Sequence, residues 1–241
     1  MCVTGRGFLG QLGFGCIVRV KICGVTSVES ALAAARAGAD AIGLNFVSGP
    51  RRIEPELAGD ILQAIPPFVT PVALVRLEMG RLPDDLLEFL GQCWVSHIQV
   101  YGEVSSGSLA LLTQDGFKPM PVVPVRDEQF ADEVNNWLSA MGGRLPYAIV
   151  LDTHHPDQLG GTGQSFEWNW LRQAAEAGKL AGWPPIILAG GLNPDNVVEA
   201  ITTARPYGVD VSSGVEVPGR PGVKDFEKMQ QFVRRAKCES L

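Results

Sequence analysis

Two residues able to carry a proton stand where apolar runs end. Lys21-Ile22-Cys23-Gly24 closes one run on a thiol, and Val150-Leu151-Asp152 closes another on a carboxyl. A buried strand that delivers such a residue at its C-terminal end is how a parallel α/β barrel presents catalytic groups. A thiol and a carboxyl facing one pocket would supply a base and an acid. Taken singly, a cysteine after a strand is more often a small buried hydrophobe, and an aspartate there serves equally well to cap a loop. Gly24 and Lys21 beside Cys23 favour the chemical reading.

Anion binding is the second chemistry. Ala189-Gly190-Gly191 follows one apolar run, and Val211-Ser212-Ser213-Gly214 follows another. Small residues let backbone N–H groups come close to an anion, and a short helix starting near Ser213 would aim its positive end at it. Barrels bind phosphate after their seventh and eighth strands. Gly160-Gly161-Thr162-Gly163 does not join a strand directly to a helix. It is therefore expected to be a glycine-hinged loop over the pocket rather than half of a nucleotide fingerprint.

The elements that must position these groups alternate along the chain. Strands are expected over 17–22, 40–46, 71–75, 96–100, 117–124, 147–151, 186–189 and 209–211. The fifth is interrupted by prolines, which central strands avoid. Ser27 caps the first helix and Gly38 stops it. Pro55 opens the second, and later helices are expected near 83–90, 109–114, 128–141 and 168–177. Asn193-Pro194 is a strong helix start, an Asn cap with Pro in the first turn. The last helix covers 223–237. Eight βα units without a linker predict a closed (β/α)8 TIM barrel of one domain, with an open doubly wound sheet as the alternative.

Bulk properties agree. At 241 residues the chain suits one barrel, and a net charge of −6 argues against a general nucleic-acid binder. The 5 cysteines are odd in number, irregular in spacing and form no CxxC, as expected of a reduced, cytoplasmic protein. The 3 histidines, with His154 and His155 adjacent in a loop, show no metal-ligand spacing. Residues 1–16 are Gly-rich and lack a basic leader with an apolar stretch, so they are expected to be an extension ahead of a barrel spanning 17–241. No segment approaches the length needed to span a bilayer.

An ordered set of segments resembles the phosphoribosylanthranilate isomerases. It comprises Val20-Lys21-Ile22-Cys23-Gly24-Val25-Thr26, Ala37-Gly38-Ala39-Asp40-Ala41-Ile42-Gly43, Pro50-Arg51-Arg52-Ile53, Ile98-Gln99-Val100, Leu151-Asp152-Thr153, Gly160-Gly161-Thr162-Gly163, Ala189-Gly190-Gly191-Leu192-Asn193-Pro194 and Asp210-Val211-Ser212-Ser213-Gly214-Val215-Glu216. The resemblance implies an Amadori rearrangement of a phosphoribosyl amine in tryptophan biosynthesis, without cofactor or metal. It implies Cys23 as general base and Asp152 as general acid. Arg51 would meet the anthranilate carboxylate. Gln99, Gly190, Gly191, Asp210, Ser212, Ser213 and Gly214 would bind substrate, with Asp210 one step removed as a partner of Lys21 or a brace of the phosphate loop. The partner is a small phosphorylated molecule, and the chain a monomer or homodimer. Tyr101, in Gln99-Val100-Tyr101-Gly102, takes a place where the family usually has His, and so bears on rate and substrate preference. The related histidine-pathway isomerase, which typically uses two aspartates, and a non-catalytic phosphate-ligand barrel are the alternatives.

Overall fold

The computed structural model describes residues 18–153 and 165–238. Eight parallel strands close into a barrel in chain order: β1 (Arg19–Cys23), β2 (Ala41–Asn45), β3 (Thr70–Arg76), β4 (His97–Tyr101), β5 (Lys118–Val125), β6 (Ile149–Thr153), β7 (Ile186–Leu188) and β8 (Gly208–Val211). Eight helices alternate with them: α1 (Val28–Ala37), α2 (Pro55–Ala64), α3 (Asp84–Gln92), α4 (Ser106–Gln114), α5 (Phe130–Ala140), α6 (Asn169–Glu176), α7 (Val197–Ala204) and α8 (Phe226–Cys238). The expected (β/α)8 barrel is therefore present, and the open sheet is not. The expected extension 1–16, the His154-His155 pair and the glycine loop 160–163 lie outside the described residues.

The period of two along each strand sorts residues to the two faces. Outward go Ile22, Ile42, Leu44, Ala73, Ile98, Leu151, Leu188 and Val209, all buried under the helices. Inward, Val72, Met120, Ala148, Val150 and Ala189 form a smaller apolar cluster of their own. The buried polar residues on the inward face are Lys21, Gln99, Asp152 and Asp210. The register sets Lys21 opposite Asp210 on β8 and Cys23 opposite Gly43 on β2.

Local chemistry explains most boundaries. Ser27 accepts from the Ser30 N–H at 3.1 Å, and Gly38 ends α1 in the left-handed conformation at φ 90°. Pro55 stands in the first turn of α2. β5 falls where expected, while α4, α7 and α8 begin elsewhere than expected, α8 at Phe226 rather than 223. β5 contains Pro119, Pro121 and Pro124, and the Pro119 carbonyl still accepts from the Tyr147 N–H at 2.9 Å. α4 begins three residues earlier than 109, because Ser105 caps it through the Ser108 N–H. α7 begins at Val197, not at Asn193-Pro194. The Asn193 side chain does cap backbone N–H groups, of Asp195 at 2.8 Å and Asn196 at 3.2 Å, but it closes a turn rather than the helix.

Candidate active site

One pocket opens at the C-terminal ends of the strands. Its lining includes Cys23 of β1, Asn45 of β2, Tyr101 of β4, Asp152 of β6 and the residues just beyond β7 and β8. The pocket is open to solvent at that end of the barrel.

Cys23 and Asp152 reach this pocket from β1 and β6, three strands apart around the barrel. Gly43 makes room for the thiol: a Cβ there would stand 2.9 Å from Cys23 Sγ. Burial, and then the Asp210 carboxylate, push the Cys23 thiol up, against the pull of Lys21 and Lys224. Burial, followed by Asp210, raises Asp152 from 3.8 to about 6, with the Thr153 N–H donating to its Oδ1 at 2.8 Å and opposing the rise. Each is the physical cause expected for a group buried among neighbouring side chains near a like charge.

Beneath them lies a buried ion pair. Lys21 Nζ donates to both Asp210 oxygens, at 2.9 and 2.8 Å, and to Gln99 Oε1 at 3.0 Å. Burial disfavours the ammonium, but Asp210 and Cys23 outweigh it and hold Lys21 above its ordinary value. Lys21 is thus the partner of Asp210 that the sequence analysis allowed. Asp210 touches both the pocket and Lys21. Gln99 is buried below the pocket, where it supports Lys21 and Tyr101 rather than lining the cavity.

Of the two adjacent arginines, Arg51 enters the pocket and Arg52 pairs with Glu54 at the surface. Arg51 is clamped by Glu216, with Nε donating at 2.7 Å and Nη2 at 2.9 Å. Glu216 also accepts from the fully buried Lys224 Nζ at 3.0 Å, and Lys224 donates on to the Ser212 carbonyl at 3.0 Å. Burial works against the Glu216 charge, but Arg51 and Lys224 hold its carboxyl below the ordinary range. Ser212 Oγ closes the chain on the Cys23 carbonyl at 3.2 Å. Glu216 lay in the sequence pattern without a role, and Lys224 was missed. Their signal is a buried charge just beyond the last strand, too far apart in sequence to pair by any period.

Gly190, Gly191, Ser212 and Ser213 line the pocket. The Gly191 carbonyl accepts from Asn196 Nδ2 at 3.0 Å, which fixes that loop. The expected short helix is a single 3-10 turn, Ser213–Val215. Gly214 does not line the cavity. It lies against the Leu192 carbonyl, and a Cβ there would also come within 2.9 Å of Asn193 Cβ. Its place is where the two glycine-containing loops touch.

Fold and pocket define the class: a (β/α)8-barrel enzyme whose pocket is assembled from strand ends. The model of the N-(5'-phosphoribosyl)anthranilate isomerase family matches residues 20–235. The chain is 43% identical over 223 residues to an N-(5'-phosphoribosyl)anthranilate isomerase of Acidithiobacillus ferrooxidans, covering 92% of this chain and 98% of that one. It is 40% identical over 222 residues to one from Trichlorobacter lovleyi, again covering 92% and 98%. The Thermotoga maritima phosphoribosyl anthranilate isomerase superposes with a TM-score of 0.77 at 32% identity, over 91% of this chain and 98% of that one. A further isomerase, solved with reduced 1-(o-carboxyphenylamino)-1-deoxyribulose 5-phosphate, superposes at 0.74 with 31% identity and the same coverage.

The chain belongs to the N-(5'-phosphoribosyl)anthranilate isomerase family, and its activity is the aldose–ketose isomerisation of tryptophan biosynthesis. Among the described residues no helix is long and apolar enough to cross a membrane.

Proposed function

We propose that Asp152 is the general acid and Cys23 the general base of this isomerisation. One observation carries the reading: a thiol and a carboxyl of raised pKa line a single pocket. Protonated Asp152 gives its proton to the furanose ring oxygen. The C1'–O bond breaks as the amine nitrogen forms the iminium, and Asp152 becomes a carboxylate. Cys23 thiolate then takes the C2' proton, the pair of the broken C2'–H bond neutralises the iminium, and the resulting enolamine tautomerises to the ketone. The working pair therefore holds one proton in total. It lies on the thiol or on the carboxyl, and the coupled site titrates as a unit. Lys21 and Lys224 favour the thiolate, as does the cationic iminium once formed.

Arg51, held by Glu216 through Nε and one Nη, has its other Nη for the anthranilate carboxylate. The phosphate sits between Gly190-Gly191 and Ser212-Ser213, where backbone N–H groups can approach it. Asp210 and Gln99 act from below through Lys21, and Gly214 by letting the two loops meet. No cofactor or metal enters this scheme. The protein works in the cytoplasm on a small phosphorylated substrate, as a monomer or homodimer.

Binding and chemistry separate in the test. The reduced product analogue should bind Cys23→Ala and Asp152→Asn about as tightly as wild type. Arg51→Met should weaken it by about ten- to a hundredfold, the worth of a charge-assisted bond. Loss of binding in Cys23→Ala, or none in Arg51→Met, would contradict these roles.

A further inference from the structure

Tyr101 carries an inference that rests on the substrate site proposed above and goes beyond it. The Lys21 ammonium can only donate. Two of its hydrogen bonds go to Asp210, and a third goes to Gln99 at 3.0 Å, so the Gln99 atom facing Lys21 must be the amide oxygen. The orientation of an amide is otherwise ambiguous; here the ion pair fixes it. Gln99 Nε2 is thereby turned toward Tyr101, and it donates to the phenol oxygen at 3.2 Å. Since Gln99 can only donate through that nitrogen, the Tyr101 hydroxyl is the acceptor in this bond. Its own hydrogen is then free, and among the described residues no acceptor takes it.

Tyr101 lines the pocket with Cys23 and Asp152. Burial, then the proximity of Cys23 and Asp152, hold the phenol well above its ordinary value, so it stays protonated throughout the working pH range. A neutral phenol with a committed lone pair and an uncommitted hydrogen is a directed donor.

We propose that Tyr101 donates a hydrogen bond to an oxygen of the substrate's pentose, its phenol aimed by the buried relay Asp210–Lys21–Gln99. The pentose is the part that must lie between Cys23 and Asp152, whereas the phosphate is placed against the loops after β7 and β8. Tyr101 is on this account a specificity-determining contact, and Gln99 and Lys21 are positioning residues that act through it.

Calorimetric titration with reduced 1-(o-carboxyphenylamino)-1-deoxyribulose 5-phosphate tests this in wild type, Tyr101→Phe, Gln99→Met and the double variant, alongside thermal melts that verify folding. Tyr101→Phe should weaken the analogue by about three- to tenfold, the worth of one neutral hydrogen bond, and leave inorganic phosphate affinity unchanged. Gln99→Met should weaken it by less, and should add nothing in the Tyr101→Phe background, because both act through one bond. An analogue affinity for Tyr101→Phe equal to wild type would overturn the proposal. So would full additivity of the two losses, or an equal loss of phosphate binding. Wild-type turnover, measured in parallel, separates this outcome from the substrate assignment: an enzyme that isomerises normally but ignores Tyr101→Phe contradicts the inference alone.

Discussion

Asp152 is a carboxyl that burial and the neighbouring Asp210 hold at about 6. Moving it there from 3.8 costs its charged form about 3 kcal/mol in the folded chain. The sign follows from linkage: the folded state binds this proton more tightly than the unfolded chain, so the group's contribution falls as pH rises from about 4 to 6. Asp152→Asn, which keeps the oxygen that accepts from the Thr153 N–H, should therefore stabilise the fold by about 2–3 kcal/mol above pH 7 and by nothing below about pH 4. Urea unfolding at the two pH values reads this directly. The same residue shapes the rate. Below its pKa both Asp152 and Cys23 are protonated and the base is gone, so kcat/KM should fall as pH drops through about 6. The alkaline limb should lie above the ordinary thiol range, because the Cys23 thiol is raised. Following the affinity of the reduced analogue over the same pH range separates this acid limb from titration of a phosphate group, whose second pKa is also about 6.

At the scale of elements, the loops after β7 and β8 must touch for the anion site to exist. Gly214 lies against the Leu192 backbone carbonyl, and no side chain fits between. Gly214→Ala must push one loop away, so the KM for substrate and the Kd for inorganic phosphate should both rise at least about tenfold while kcat changes less. Equal values for the variant and wild type would show that the loops need not meet. These elements were largely legible in the sequence. Apolar runs ending on Cys23, Asp152 and Ser212 located the strand ends, since barrel strands are buried on both faces. The start of α7 was not, because Asn193 caps a turn as readily as a helix. Nor was the arm from Arg51 through Glu216 and Lys224 to Ser212, which joins groups with no sequence period and depends on how β8 and the following turn fold back. Lys21 and Gln99 offered a signal: a cation and an amide within strand segments otherwise apolar, with Lys21 two residues before Cys23 and Gln99 two before Tyr101.

For the molecule as a whole, the barrel separates stability from chemistry. Two apolar clusters between strands and helices hold the shell together, and the inward cluster around Val72, Met120 and Val150 lines the barrel interior. Trp137 donates to the Val104 carbonyl at 3.0 Å and packs against the core, whereas Trp94 is 92% exposed. The chemistry is confined to the open end, where strands far apart in sequence each deliver one group. The measurement that bears most directly on this arrangement is the loss of anthranilate fluorescence when freshly generated phosphoribosylanthranilate meets wild type, Cys23→Ala and Asp152→Asn. The paired acid and base predict rapid loss with wild type, and a drop of at least about a thousandfold in rate with either variant, since the two residues act as a unit. Turnover by both variants at the wild-type rate would contradict it.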